Sequence, residues 1–311
     1  MASSTEKIRL HLVVSGASGL IGSELQRRLT AEGHRVTRLV RGPAGSGRIA
    51  WDPVNGRLNP HDFKEVDGVI HLAGENVGAR WSRVRKARIR DSRVRGTRLL
   101  SETLAGLDRP PGVLISASAV GIYGNRGSEV LDDNSPPGDP ARDFLVSVCL
   151  EWEAAAESAR AVGIRVVHPR FGVVLSPRGG ALAKLLLPFR LGLGGTLGGG
   201  AQWMSWISID DAAGAIQHAL TDEGLEGPVN LTSPEAVTNR DFTRTLGRVL
   251  RRPTPFPIPA AALRLVLGEM AQSTLLFSTR VHPEKLLRAG YRFEHSSLQS
   301  ALRHVLGVPQ Q

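Results

Sequence analysis

After a short polar stretch the chain runs into Leu10 to Ser15 (Leu-His-Leu-Val-Val-Ser), an apolar, β-rich segment of strand length. Ser23 to Glu32 reads as a helix with Leu25 and Leu29 on one face, and Gly33 stops it. Arg35–Val40 is a second strand, Arg48–Trp51 a short third, and Val69–Leu72 a fourth, entered from Asp67-Gly68. A basic helix over about Ser82 to Leu104, a strand at Val113–Ser116, a long helix over about Phe144 to Ala161 and a sixth strand at Arg165–Val167 follow. Strands alternating with helices at this spacing predict an α/β fold with a parallel, doubly wound sheet. The right-handed crossover rule leaves few other arrangements. Beyond Pro169 the pattern loosens. Gly192–Gly200 is glycine-rich and reads as a mobile rim. Pro253–Pro259 carries four prolines, which excludes a helix or a central strand. The pattern predicts one domain over residues 1–236, with substrate-lining segments near 176–206. A smaller, mostly helical C-terminal substrate region then covers 237–311.

Composition narrows the class. With 41% apolar and 22% charged residues, the 311-residue chain is ordinary for a soluble globular protein. A single cysteine, Cys149, excludes an intramolecular disulfide and fits a reducing compartment. Met1 to Arg9 is polar without an apolar signal core, and no run approaches the ~20 apolar residues of a membrane span. The expectation is a cytoplasmic protein with no membrane partner, and a homodimer is the assembly considered. The net charge of +10 favours anionic partners, phosphorylated small molecules or nucleic acid. Eight basic residues crowd one helix: Arg83, Arg85, Lys86, Arg88, Arg90, Arg93, Arg95 and Arg98. That helix lacks aromatic residues for base stacking, and its Val84, Ala87 and Val94 ask for a packing surface. A solvated face or a field for an acidic substrate is favoured over nucleic acid. No metal ligands are assigned.

The chemistry starts at Gly16-Ala17-Ser18-Gly19-Leu20-Ile21-Gly22, between the first strand and the first helix. In that context the three glycines form a dinucleotide-binding turn: Gly16 permits the bend, Gly19 a close approach of backbone to pyrophosphate, and Gly22 tight helix–sheet packing. The free N–H groups of the helix start attract the phosphates. The second strand then discriminates between cofactors. It ends Arg38-Leu39-Val40-Arg41-Gly42, with no acid to accept from a ribose 2′-hydroxyl. Arg41, with Arg38 as a second candidate, suits a 2′-phosphate and predicts NADP(H).

At this point the chain resembles the extended short-chain dehydrogenase/reductase superfamily, of Rossmann-type fold. The segments His71–Asn76, Ser116–Gly124, Trp152–Ala155, Arg170–Leu175 and Leu187–Gly195 together resemble its "epimerase family" branch, and Thr238–Leu306 resembles that branch's C-terminal domain of unknown function. The resemblance implies NADP(H) as cofactor and a small-molecule substrate with a carbonyl or hydroxyl group. It implies cofactor contacts from Gly16, Ser18, Gly19, Leu20 and Ile21. Asp52 would meet the adenine amino group; Leu72, Ala73 and Gly74 would line adenosine and ribose. Ser116, Ala117, Pro169, Arg170 and Phe171 would lie near the nicotinamide, and Ser118 would occupy the catalytic serine position. The Asp210-Asp211 pair would fix a helix beside the substrate cleft, one of them as its N-cap, and Gln202, Trp203 and Trp206 would line the pocket.

The same comparison exposes a gap. The superfamily moves its proton with Tyr-x-x-x-Lys on the long helix. Here Phe144 takes the tyrosine place, and Val148 or Cys149 the lysine place. Ser92 replaces the usual asparagine of the preceding helix. Three readings stay open. Another group supplies the proton, with Ser118 and Tyr123 the catalytic candidates and Glu75 or Asp143 able to serve if burial raises their pKa. Or the reaction, an oxidation–reduction or epimerisation, needs no strong acid. Or the chain is a non-catalytic NADP(H)-binding redox sensor or regulator.

Overall fold

The computed structural model describes residues 9–309. The polar stretch read over Met1–Arg9 lies outside them, apart from Arg9 itself. Strand β1 (His11–Ser15) leads into helix α1 (Leu20–Ala31), followed by β2 (Arg35–Val40), β3 (Arg48–Asp52) and the short β4 (Arg57–Leu58). Next come β5 (Gly68–His71), α2 (Arg83–Ala105), β6 (Val113–Ser116), β7 (Ser118–Ala119), β8 (Val130–Leu131), α3 (Phe144–Ala154), α4 (Glu157–Ala161) and β9 (Arg165–Phe171). β10 (Val173–Leu175), α5 (Gly180–Arg190), β11 (Trp203–Met204), β12 (Trp206–Ser208) and α6 (Ile209–Thr221) precede β13 (Gly227–Leu231). The C-terminal part holds β14 (Val237–Thr238), α7 (Asn239–Leu250), α8 (Ala260–Leu267), β15 (Arg280–Val281), α9 (Glu284–Arg288) and α10 (Leu298–Val305).

The main sheet runs β13-β9-β6-β5-β1-β2-β3-β4, with β7 added beside β9. Every pairing is parallel except β3 with β4. The chain winds outward from β1 to β3, then returns to β5 on the other side, which makes the doubly wound Rossmann-type fold. Alternate residues face opposite layers. Leu12, Val14, Ile70, Ile115, Val167 and Val229 pack with α1 and α6 (Leu25, Leu29, Ile216). Val13, Val69, Leu114 and Val166 pack with α2 and α4 (Leu100, Leu104, Ala159). The strands are apolar on both faces because both faces are covered.

Three local readings change. The long helix breaks at Ala155–Ala156, and the amide of Ala159 donates to the Ser101 hydroxyl of α2 at 2.8 Å. That side chain satisfies a helix-start donor that sequence reasoning does not foresee. The sixth strand extends to Phe171, because β7 and β13 flank its far end, pairing Arg170 with Ser118 and Asn230. The N-cap of α6 is Ser208 rather than either aspartate: its hydroxyl accepts from the Asp211 amide at 2.9 Å and donates to the Asp211 carboxylate at 2.7 Å. The fully buried Asp211 carboxylate also accepts the amides of Glu294 and His295 at 2.7 and 3.1 Å, anchoring the C-terminal segment to the sheet domain. Among the described residues no helix is long and apolar enough to cross a membrane.

The glycine-rich loop is pinned rather than free. Gly198 N–H donates to Ile258 O at 2.9 Å and Ile258 N–H to Thr196 O at 2.8 Å, so the proline-rich segment lies along it. A Cβ on Gly195 would sit 1.6 Å from Phe256 O, so only glycine allows that approach.

Candidate functional site

The parallel register sets Ser15 level with Leu39 on one side and His71 on the other, and His71 level with Ser116. The residues that follow each strand therefore gather at one sheet edge: the glycine turn, Arg41, Leu72–Gly74, Ala117 and Ser118. This is the edge where such sheets bind ligands.

Gly16 has φ +67°, and a Cβ there would meet the backbone of Leu72 and Ala73 at 2.8–2.9 Å. A Cβ on Gly22 would fall 2.2 Å from Gly16 O. Gly19 caps α1 without any side-chain acceptor, and the first turn of α1 holds no acid. The helix start is thus bare, partly positive and closely backed by β1 and β5. Ser15 ties the two strands: its Oγ lies 2.6 Å from His71 Nδ1 and accepts from the amides of Leu72 and Ala73 at 3.1 and 3.3 Å. Arg38 and Arg41 are exposed, and neither has an acidic partner among the described residues. Asp52 is bound into its own turn, accepting from the amides of Val54 and Asn55 at 3.1 and 3.2 Å and from the Asn55 side chain at 2.6 Å. Leu72 and Ala73 are half-buried and Gly74 exposed, while Ser116 is buried with a hydroxyl that lacks any partner.

Ser118 and Tyr123 do come together, but inside the protein. Ser118 Oγ donates to Glu153 Oε1 at 2.6 Å. Glu153 takes a two-pronged ion pair from Arg170, Nε to Oε1 and Nη2 to Oε2, both 2.9 Å. Arg170 Nη1 donates to Tyr123 OH at 2.9 Å, and that hydroxyl donates to Asn230 Oδ1 at 2.7 Å. Ser118 is 2% and Tyr123 0% exposed. Burial pushes the Tyr123 phenol up, against the pull of Arg170. Burial also pushes Glu153 up, yet the Arg170 hydrogen bonds and charge outweigh it and hold the carboxyl below its usual range. Arg170 thus points inward, its guanidinium spent on Glu153 and Tyr123. Sequence reasoning missed Glu153 and Asn230. The available signals were a carboxylate on the apolar α3 and an amide inside the buried run Gly-Pro-Val-Asn-Leu.

Around the missing Tyr/Lys pair, Phe144 packs edge-on to Trp81 (5.2 Å between centroids) under the Lys86 ammonium at 4.5 Å. Val148 is core, and burial raises the Cys149 thiol to about 12, which excludes a nucleophile. Ser92 accepts from the Glu75 amide at 3.0 Å and donates to Ile89 O at 3.1 Å, so it braces the loop after β5. Asp143 caps α3 through the Leu145 amide at 2.8 Å, and burial raises its pKa. Trp206 is a core residue at 0% exposure, not a pocket wall; Gln202 holds Leu197 O and Leu275 O at 3.0 and 3.1 Å. The basic face of α2 is partly internal. Arg93 backs Gly74 and donates to Glu75 O at 3.0 Å, Lys86 pairs with Glu269 at 2.8 Å, and Arg90 pairs with Glu151. Val84 and Ala87 are exposed, and the buried stripe runs instead through Ile89, Val94, Leu100 and Leu104.

His71 supplies a pH test. Burial alone lowers its pKa from 6.5 to about 4, so the unfolded chain binds a proton the folded one refuses. Its contribution is fully present above about pH 6.5 and is lost as pH falls towards 4, on the order of 3 kcal/mol. Urea unfolding at pH 7 and 5 should show about 2 kcal/mol of this loss, and His71→Asn should flatten it. An unchanged slope in the variant removes His71 as its source.

Comparison with known proteins agrees with this geometry. Residues 12–231, the sheet and its crevice, match the NAD dependent epimerase/dehydratase family. The chain belongs to that family. Residues 258–305 match a domain of unknown function, DUF1731. Epimerase family protein Mb2239 of Mycobacterium bovis is 44% identical over 96% of this chain and 98% of its own length. Human epimerase family protein SDR39U1 is 36% identical over 96% and 100%. The crystal structure of the human protein (isoform 2) with NADPH superposes with a TM-score of 0.86 at 35% identity, covering 96% of this chain and 99% of that one. Membership and fold therefore stand together, and α3, which opens at Phe144, contains no Tyr-x-x-x-Lys.

Proposed function

We propose that this epimerase-family chain binds NADP(H) in the crevice and is an oxidoreductase or epimerase of a small carbonyl or hydroxyl compound. The observation that carries the reading is the bare start of α1, closed behind by Gly16 and Gly22, beside two arginines without acidic partners. The residues fit the cofactor: the cradle excludes any Cβ, and the unpartnered Ser116 hydroxyl awaits a polar group. NADPH bound to the human relative supports it. When bound, the nicotinamide supplies hydride. Gly16, Ser18, Gly19, Leu20 and Ile21 hold pyrophosphate through backbone N–H groups, and Arg38 and Arg41 pair with the 2′-phosphate. Asp52 bounds the adenine end, Leu72–Gly74 line adenosine, and Ser116, Ala117, Pro169 and Phe171 flank the nicotinamide. Ser118 and Tyr123 hold Arg170 and Glu153 beneath the site. Asp143, at the head of α3 beside Phe144, is a candidate proton donor: its carboxyl caps the helix through the Leu145 amide, and burial raises its pKa.

Fluorescence titration checks the cofactor. Wild type should prefer NADPH over NADH. Arg38→Glu with Arg41→Glu should weaken NADPH by about 10–100-fold, the worth of charge-assisted hydrogen bonds, and leave NADH nearly unchanged. Equal, weak binding of both cofactors by wild type defeats the reading. A second reading, an NADP(H)-binding regulator without turnover, is favoured by Phe144 in the tyrosine place. Screening NADPH oxidation against a carbonyl panel separates the two: turnover lost in Asp143→Asn supports the enzyme, and tight NADPH binding without turnover supports the regulator.

A further inference from the structure

Away from the crevice, Asp210, His295 and His304 converge where the start of α6 meets the C-terminal segment. One ligating atom from each lies within 4.8 Å of the others. His304 Nε2 is 3.1 Å from Asp210 Oδ2, and the His295 and His304 rings stand 4.2 Å apart, tilted by 31°. Two imidazoles and a carboxylate are a ligand set for zinc-class ions.

The second observation is independent of that clustering. His295 is only 8% exposed, and its Nε2 is buried with no hydrogen-bond partner. Its other nitrogen, Nδ1, lies 3.3 Å from Ser300 Oγ. With Nδ1 donating there, Nε2 carries the lone pair, the tautomer arrangement found behind metal-bound histidines. In that tautomer the Nε2 lone pair meets no donor among the described residues.

We propose that Asp210, His295 and His304 bind one zinc-class divalent ion, which straps α10 and the segment before it to the sheet domain. Bonds of about 2.0–2.1 Å give a tetrahedral edge of roughly 3.3 Å. The Asp210–His304 separation already matches it, and the two separations to the buried His295, at most 4.8 Å, close by small shifts of Asp210 and His304, whose side chains are 17% and 46% exposed. That exposure leaves the fourth position to water. The charge balance permits a cation: Arg28 bonds Asp210 Oδ1 at 3.0 Å but also faces Glu294 at 3.3 Å, and Asp210 Oδ2 stays on the histidine side.

The test uses the full, tag-free chain. Equilibrium dialysis against Zn2+ should retain one ion per chain, and Co2+ should give the intense visible absorption of a tetrahedral site. Zn2+ at about 100 times its Kd should raise Tm by on the order of 5 °C. His304→Ala, a half-exposed position, should fold as wild type, bind at least ~10-fold more weakly and lose the Tm response; Asp210→Asn should do the same. Retention of the ion with unchanged affinity in both variants places it on other histidines and overturns the proposal. So does a wild-type chain that retains no Zn2+.

Discussion

Glu153→Ala should destabilise the protein by about 3–5 kcal/mol, because it strands the Arg170 guanidinium without its counter-ion. The Arg170 side chain is 5% and that of Glu153 14% exposed, so water cannot replace the lost partner. Two more groups lose support: the Ser118 hydroxyl loses its acceptor, and Tyr123 faces an unbalanced charge. Total stability of natural domains is about 5–15 kcal/mol, so the loss is a large share of it. Glu153→Gln keeps shape but removes the charge, and should fall between alanine and wild type. Urea unfolding measures all three. Replacing both partners, Glu153→Leu with Arg170→Met, should recover much of the loss, since neither desolvated charge then remains. If Glu153→Ala unfolds within 1 kcal/mol of wild type, the pair does not hold the floor of the site. The pH sense follows from the same geometry. Because the folded Glu153 pKa is depressed, its contribution is present above the unfolded value near 4.5 and is lost as pH falls through the folded value.

Gly22→Ala is the second large effect, and it separates folding from binding when set beside Gly19→Ala. The new Cβ on Gly22 would lie 2.2 Å from Gly16 O and 2.8 Å from Ala17 Cα. Both are backbone atoms, so no rotamer change relieves the clash and α1 must move away from the turn that precedes it. A cost of about 1–3 kcal/mol is expected, with NADPH binding weakened by ~100-fold or more as the cradle opens. At Gly19 the nearest atom, Gly16 O, is 3.1 Å away, a tight contact relieved by a shift of a few tenths of an ångström, so alanine should cost the fold less there than at Gly22. The methyl would nevertheless block close approach of pyrophosphate, and binding should fall without a matching loss of Tm. Thermal unfolding and NADPH titration of the two variants check this. Equal binding losses with equal Tm losses would mean that the turn acts through stability alone.

Much of the fold was legible in the residues because it is locally encoded. Short apolar runs buried on both faces, a helix stopped by Gly33 and the glycine turn all write their geometry into neighbouring positions. The glycine turn and Arg41 could be read from their places after β1 and β2, and the other residues expected at the cofactor edge, up to Phe171, from the resemblance; they lie at or just past the ends of parallel strands, which end at one edge. Arg93, Arg170 and Trp206 were less legible. An arginine reads as surface until a buried partner is found for it, and a tryptophan near a cleft reads as a wall until the core claims it.

The sequence by itself determined the parallel sheet, the dinucleotide turn, the absence of an acid after β2 and the loss of Tyr-x-x-x-Lys. These depend on residue type at short spacing. Only the tertiary structure decided what the polar side chains do: that Ser118 and Tyr123 serve a buried Arg170–Glu153 pair, that Asp211 holds residues 294–295, and that Asp210, His295 and His304 meet. The physical reason is range. Backbone conformation and hydrophobic period are set within a few residues, whereas these ion pairs are defined by partners 17 to 94 positions away.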